Sequence, residues 1–290
     1  MPAGRLPSKL TTKKQVHEYL RRARQAGKSI GFVPTMGALH KGHLSLTKTA
    51  RAENDLLIVS IFVNPTQFGP GEDYDGYPRR LEEDLKLCAR EKVDAVFAPT
   101  AGEMYAGEAS TFIEPGPLGQ RLEGMSRPSH FRGVCTVVAK LLNITRPDRL
   151  YLGQKDAQQL AVARQMVRDL DYPTEVVACP TVREPDGLAI SSRNAYLSGK
   201  ERNSALALSR ALDTATRMVS LGETNAPEIA AAMAEQIVVD PLCELDYAAV
   251  VDPVTFEDIA EVKNTALAAL AVRVGRARLI DNVLLVPDRE

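Results

Sequence analysis

The chain has 290 residues, 44% hydrophobic and 25% charged, with a formal net charge of −1, which is enough for a sizeable core in one large domain or two ordinary ones. The near-neutral balance excludes a broad nucleic-acid surface, which needs an excess of Lys and Arg, but leaves room for a small anion pocket built from a few cations. No apolar run reaches the length of a membrane span, and the basic start "MPAGRLPSKLTTKK" lacks the apolar stretch of a signal peptide. Cys88, Cys135, Cys179 and Cys243 are scattered, with no CxxC pair, and read as reduced, mostly buried thiols. A cytoplasmic protein without a membrane or nucleic-acid partner is expected.

In chain order, residues 30–33, 56–63, 95–98, 111–114, 149–152 and 175–178 read as strands. Residues 43–53, 81–91, 134–144 and 158–170 read as helices between them. The run "LLIVSIFV" is continuously apolar and branched, the pattern of a strand buried on both faces. Such alternation predicts an α/β fold, a Rossmann-like parallel sheet with helices on both faces, and ligands then sit at the carboxyl ends of the strands. The pattern changes near residues 182–194. A helix opened by "SGKE" follows, with Ser198 and Glu201 in capping-box spacing. Next come an alanine-rich helix after "NAPE" and three strands, "LDYAAVVD", "ALAALAVRV" and "ARLIDNVLLV", read as antiparallel. The second part is a smaller α+β domain, with the boundary expected between residues 1–182 and 183–290.

The loops after the strands hold the unusual chemistry. "PTMGALHKGH" carries two of the four histidines, His40 and His43, with Gly37 and Gly42, between a strand and a helix. Glycines let backbone approach a ligand, and a helix N-terminus offers free N–H groups and partial positive charge to a phosphate. The imidazoles add donors where charge develops. The competing readings are a pair of solvated loop residues, or a zinc pair. Zinc wants further ligands, His17 and His130 are far off in sequence, and the Glu of HExxH is missing. In "LGQKDAQQL", Lys155 is a candidate phosphate contact, while Asp156 with Gln159 equally spells a capping box. "ISSRN" brings Ser191, Ser192 and Arg193 together, as a loop closing on a triphosphate or as a capped linker. "FVNPTQFG" puts Asn64, Gln67 and Phe68 after the most buried strand, as a loop presenting a neutral amide to a small polar substrate, with Phe62 a further substrate-contact candidate, or as a Pro-rich turn. "RPSHFRGV" places Arg127 and His130 before a helix, as anion contacts or solvated residues.

In this order, "PTMGALHKGH", "SIFVNPTQFG", "YPR", "RPSHFRGV", "GQKD", "VREPDGLAISSRN" and the late "LIDN" resemble the pantoate–β-alanine ligase (pantothenate synthetase) family. That family lies within the nucleotidyltransferase superfamily marked by HxGH, which also holds the class I aminoacyl-tRNA synthetases. HxGH alone indicates only the superfamily; the ordered set, running from about residue 28 to the end, is specific to the ligase. The resemblance implies that Pro34, Thr35, Met36, Gly37, Ala38, Leu39, His40, Lys41, Gly42 and His43 contact ATP, with His43 the catalytic histidine and His40 assisting at the phosphates. It implies further ATP contacts at Gly153, Gln154, Lys155, Asp156, Val182, Ile190, Ser191, Ser192 and Arg193. Gln67 and Gln159 are implied to bind pantoate, Gln67 also lying by the β-alanine site. Gln154 departs from the Glu of many relatives, and Ile190 from a common Met, a nearly volume-conserving change. The first 182 residues are then the nucleotide- and pantoate-binding domain, and the rest a lid.

The chemistry implied is ATP-dependent condensation of pantoate with β-alanine through a pantoyl adenylate, releasing pyrophosphate and AMP. Lys155, Ser191, Ser192, Arg193, the two histidines and Mg²⁺ would stabilise charge. The Mg²⁺ ligands are open, with Asp84 and Glu83 on the helix after "YPR" as candidates. A homodimer is implied. The alternatives are another HxGH nucleotidyltransferase that keeps the nucleotide on its product, and a nucleotide-binding regulator without turnover.

Overall fold

The computed structural model describes residues 5–107 and 109–287; the first four residues of the basic N-terminal stretch lie outside the described residues. The chain divides into two compact units, Met1–Gly153 with Val162–Cys179, and Gln154–Ala161 with Pro180–Glu290. The division is not a single cut at residue 182, because Gln154–Ala161 groups with the later part of the chain.

The first unit holds a six-stranded sheet. Its elements are β1 (Ser8–Leu10), α1 (Lys13–Gln25), β2 (Ile30–Thr35), α2 (Lys41–Glu53), β3 (Leu56–Ile61), α3 (Leu81–Arg90), β4 (Ala95–Phe97), the one-turn α4 (Ala101–Met104) and α5 (Glu123–Ser126), α6 (His130–Thr145), β5 (Arg149–Gly153), most of α7 (Ala157–Asp169) and β6 (Glu175–Cys179). The strand order is β1-β4-β3-β2-β5-β6, every pair parallel. Leu57, Ile58 and Val59 of β3 are fully buried, as their unbroken apolar run requires in a sheet covered on both faces. The chain runs outward from β2 through β3 and β4 on one side, and through β5 and β6 on the other. That reversal beside β2 is where ligands bind in open parallel sheets.

Two elements depart from the expected pattern. Residues 111–114 form no strand; Phe112 and Glu114 are exposed, and the Ile113 N–H donates to Thr136 Oγ1 at 3.0 Å. Alternation over four residues predicts a ladder only when a neighbouring edge is there to accept it. Conversely, the three-residue β1 is too short to show a period, yet it pairs Ser8 with Ala95 and Leu10 with Phe97 along β4.

The second unit contains α8 (Gly199–Ser220), α9 (Ala226–Val238) and an antiparallel sheet of β7 (Cys243–Val251), β8 (Ala266–Val274) and β9 (Ala277–Leu285) in the order β7-β8-β9. The Ser198 capping box forms: the Ser198 N–H donates to Glu201 Oε2 at 2.7 Å, and the Glu201 N–H to Ser198 Oγ at 3.3 Å. Ala205, Leu208, Ala211, Leu212 and Ala215 make one face of α8, at the 3–4 spacing of a helix. Every second residue of β8, from Ala266 to Val274, joins the same core.

Candidate active site

The loop from β2 to α2 is built by short-range chemistry and one distant carboxylate. Thr35 Oγ1 donates to the Ser60 carbonyl at 2.7 Å and accepts the Gly37 N–H at 3.1 Å. Gly37 takes φ +84°, and a Cβ there would stand 2.9 Å from Ile61 Cγ2 and 3.0 Å from Asp84 Oδ2, so only glycine fits. Ala38 follows at φ +50°, a conformation costly for an L-residue. Asp84 of α3 holds it there: Oδ2 accepts the Ala38 N–H at 3.0 Å and Oδ1 the Leu39 N–H at 2.8 Å. Asp84 is 1% exposed. Burial raises its pKa, and the two N–H bonds oppose that shift. It is therefore a clamp on the loop, where the sequence reading made it a candidate magnesium ligand. Glu83, the other candidate, is exposed beside Arg80 at 3.8 Å.

His40 is the N-cap residue of α2 with extended backbone, and His43 stands one turn in. Their rings stack with centroids 4.0 Å apart and planes 28° from parallel. A Cβ on Gly42 would lie 3.0 Å from the His40 ring, so this glycine gives the ring its place. The His40 N–H donates to His43 Nδ1 at 3.4 Å. With Nδ1 accepting, the proton of a neutral His43 sits on Nε2. The loop thus presents an imidazole N–H donor at the N-terminus of a helix, an arrangement suited to a phosphate.

After β3, Asn64–Gln67 forms a turn packed on α6. Asn64 is 1% exposed. Its Oδ1 accepts from Tyr105 Oη at 2.8 Å and Thr66 Oγ1 at 3.0 Å, and its Nδ2 donates to Gln67 Oε1 and the Gly133 carbonyl, both at 3.2 Å. These bonds make Asn64 a holder of Gln67, beside the substrate contact that the sequence reading expected of it. Gln67 Nε2 points at Met36 Sδ, 3.0 Å away, which ties this turn to the histidine loop. Phe62 is buried, its ring 6.3 Å from that of Tyr105.

Arg127 and His130 also turn toward the turn's backbone. His130 Nδ1 donates to the Gln67 carbonyl at 2.9 Å, so Nε2 accepts from Arg127 Nη1 at 3.2 Å. Arg127 forks onto Glu72 at 2.6 and 2.7 Å. Burial, with the Arg127 charge beside it, pushes the His130 imidazole down to about 4. Burial works against the Glu72 carboxylate, but the Arg127 bonds and charge hold its pKa below the usual value. Sequence reading missed Gly133: a Cβ there would lie 2.2 Å from the Thr66 carbonyl oxygen. A glycine inside a helical run is the signal that marks such a close approach.

In the second unit, Gln154–Asp156 makes a 3-10 turn leading directly into α7. Asp156 thus lies inside a helical turn, not in the extended backbone of an N-cap, and the capping-box reading of "GQKD" gives way. Lys155 is largely shielded, its side chain 19% exposed, with Nζ 3.7 Å from Asp156 Oδ1. Gln159 is half-buried on the first turn of α7, and its neighbour Gln158 is buried. Residues 182–190 fold back on themselves through "EPDG": the Glu184 N–H donates to the Leu188 carbonyl at 2.8 Å, and the Ile190 N–H to the Val182 carbonyl at 3.0 Å. Ile190 is buried. Ser191 then caps the turn of Ser192–Tyr196, its Oγ accepting the Arg193 N–H at 3.3 Å. Gly153 closes β5, where a Cβ would meet only open space.

The "LIDN" segment on β9 joins these pieces. Asn282 Nδ2 donates to the carbonyls of Gln154 at 3.0 Å and Lys155 at 2.8 Å. Arg183 forks onto Asp281 at 2.6 and 3.0 Å and donates to the Gly187 carbonyl at 3.0 Å. The predicted residues therefore fall into two sets. Met36, His40, His43, Phe62, Asn64, Gln67, Arg127 and His130 belong to the first unit. Gln154, Lys155, Asp156, Gln159, Val182, Ile190 and Ser191–Arg193 belong to the second.

Among the described residues, no group of three or more His, Cys, Asp or Glu is placed to hold a metal ion, and no helix is long and apolar enough to cross a membrane. The four cysteines are free thiols. Burial pushes Cys88 and Cys135 up to about 12 and Cys243 up to about 11, so none of these three is a ready nucleophile.

A sequence model of the family described as Pantoate-beta-alanine ligase matches residues 8–284. The pantothenate synthetase of Thermotoga neapolitana is 52% identical over 276 residues, covering 95% of this chain and 99% of that one. The crystal structure of pantothenate synthetase from Thermus thermophilus matches with TM-score 0.92 at 46% identity, over 97% of this chain and 100% of that one. A pantoate-beta-alanine ligase from Francisella tularensis, solved in complex with beta-gamma ATP and beta-alanine, matches with TM-score 0.77 at 38% identity, over 96% and 97% of the two chains.

Proposed function

The chain belongs to the pantoate–β-alanine ligase family, and from that premise we propose which of its residues carry the reaction. It is a ligase that joins pantoate to β-alanine through an amide bond at the expense of ATP. A carboxylate is a poor acyl donor, because its leaving group would be oxide. In the proposed course, an oxygen of the pantoate carboxylate attacks the α-phosphorus of ATP, and pyrophosphate leaves with the electron pair of the broken P–O bond. The β-alanine amine then attacks the acyl carbon. The C–N bond forms, the bond to AMP breaks, and the ammonium proton goes to solvent. The first step transfers no proton; it needs charge neutralised and reactants held in line.

His43 supplies a fixed donor to the phosphates, and the observation carrying this reading is the backbone N–H on its Nδ1, which makes Nε2 the proton-bearing nitrogen. His40 stacks on it and shares the phosphate contact. Residues 34–43 line the nucleotide, joined by Gly153 to Asp156, Val182 and Ile190. Lys155, Ser191, Ser192 and Arg193 stabilise the charge that develops as pyrophosphate departs. Gln67 and Gln159 hold pantoate; a neutral amide bonds a carboxylate or hydroxyl without trapping it as an ion pair would. Asn64, Arg127 and His130 keep Gln67 in place, and Phe62 packs beneath that turn. Mg²⁺ carried in with ATP would supply neutralising charge there, a role that needs no protein cage of carboxylates. We further propose a cytoplasmic homodimer.

The test is exchange of labelled pyrophosphate into ATP. Enzyme, ATP, Mg²⁺ and pantoate are expected to support it without β-alanine, because the adenylate forms reversibly before the amine arrives. Gln67→Ala and Gln159→Ala are expected to suppress it. Exchange that requires β-alanine would overturn the two-step course.

A further inference from the structure

Asn282 is an asparagine in the middle of a β-strand, 5% exposed, a position that strand propensity disfavours. All its side-chain polar atoms are committed to one target. Both Nδ2 hydrogens go to consecutive carbonyls, those of Gln154 and Lys155, at 3.0 and 2.8 Å. Oδ1 accepts from Gln154 Nε2 at 3.3 Å. The adjoining strand residue holds Asn282 in turn: Asp281 Oδ1 accepts the Asn282 N–H at 2.8 Å, and Asp281 is itself held by the Arg183 fork. An amide buried this deeply and bonded this fully fixes the direction of whatever it grips.

We infer that Asn282 is a positioning residue for the adenylation step, clamping the turn Gln154–Asp156 so that the Lys155 ammonium is held in its productive place. This deepens the assignment of Lys155 to ATP made above and rests on it. The two carbonyls already stand at the start of α7, so the helix does not need a side chain to satisfy them. The clamp adds a side-chain grip to a three-residue turn that otherwise hangs between the end of β5 and the start of α7. Gln154 suits the arrangement. Its amide donates to Asn282 Oδ1, whereas a glutamate there would set a carboxylate against that oxygen.

The experiment is a double-mutant cycle read by pyrophosphate exchange, with folding checked by thermal unfolding of each full-length variant. Asn282→Ala removes the clamp without adding charge; Asn282→Asp keeps the volume but replaces the donors with an acceptor. In the wild-type background each is expected to lower kcat/KM for ATP by about ten- to a hundredfold, the scale of a misplaced catalytic group. In the Lys155→Ala background the same substitutions are expected to cost less than about threefold, because the group they position is gone. An equal loss in both backgrounds, with Lys155→Ala itself impaired, overturns the positioning role and leaves the Lys155 assignment standing. Full activity of folded Asn282→Ala and Asn282→Asp also overturns it, as does failure of both to fold, which would make Asn282 framework. A fully active Lys155→Ala removes the premise and the inference together.

Discussion

The role proposed for His43 rests on a hydrogen bond it accepts. With Nδ1 facing the His40 N–H, its ring is fixed in tautomer and direction before any ligand arrives, which is what makes a donor catalytic rather than merely nearby. His43→Ala is expected to slow adenylation by about 10²–10³-fold, the loss typical of one transition-state donor. The melting temperature should hardly move, since the ring stacks on a loop histidine rather than in the core. Rapid-quench measurement of pyrophosphate release beside a thermal melt checks both halves. His130 shows the opposite use of an imidazole. Its folded pKa is pushed down to about 4 from an ordinary 6.5. Between those values the unfolded chain binds a proton that the folded one refuses. Its contribution to stability is therefore fully present above pH 6.5 and is lost as pH falls through the window. Denaturant titrations at pH 6.5 and pH 5 should show wild type losing about 1–2 kcal/mol more than His130→Asn. The comparison stops at pH 5 because Glu72, whose pKa is lowered, adds a loss of the same sign at lower pH.

At the scale of elements, the candidate site rests on close approach between helices and turns. Helix α6 meets the Asn64–Gln67 turn at Gly133, where an added Cβ would fall 2.2 Å from the Thr66 carbonyl oxygen and 2.7 Å from Gln67 Cα. Backbone cannot rotate away as a side chain does. Gly133→Ala is therefore expected to destabilise the first unit by about 1–3 kcal/mol, as overpacking does. It should also raise KM for pantoate, because Gln67 moves with its turn. Urea unfolding with steady-state kinetics at varied pantoate measures the two effects, and a stability loss with KM unchanged would detach Gln67 from the substrate. Helix α3 acts at a similar distance. Its Asp84 spans 45 residues to bond the Leu39 N–H, a partner that nothing in "LEEDL" indicates. The loop's glycines and imidazoles were legible because they stand together in one short motif; its clamp was not, because nothing local marks which of three adjacent acids turns inward.

At the scale of the whole molecule, the proposed homodimer predicts a particle of twice the chain mass in light scattering at micromolar concentration; a monomer there, with full activity, would refute it. The chain alone determined the parallel sheet, the antiparallel second sheet and the histidine loop, each carried by periodicity, by turn residues or by a motif whose parts are neighbours in sequence. The chemistry came from the resemblance of an ordered set of motifs, spread along most of the chain, to a known family. The sequence reading erred where a distant partner decides. Residues 111–114 alternate like a strand but find no edge, whereas "SKL" pairs with β4 despite its brevity. Asp156 and Gln159 have capping-box spacing, but the chain enters α7 through a 3-10 turn, gripped by Asn282 more than 120 residues later. Asn64, Arg127 and His130 read as ligand contacts in the sequence, and the fold adds partners that spacing does not announce: the Gly133 carbonyl for Asn64, Glu72 for Arg127 and the Gln67 carbonyl for His130. Spacing along the chain tells which groups can meet within one element. Which buried polar group is left to face a substrate depends on which others the fold has already paired, and that pairing exists only once the tertiary structure has closed.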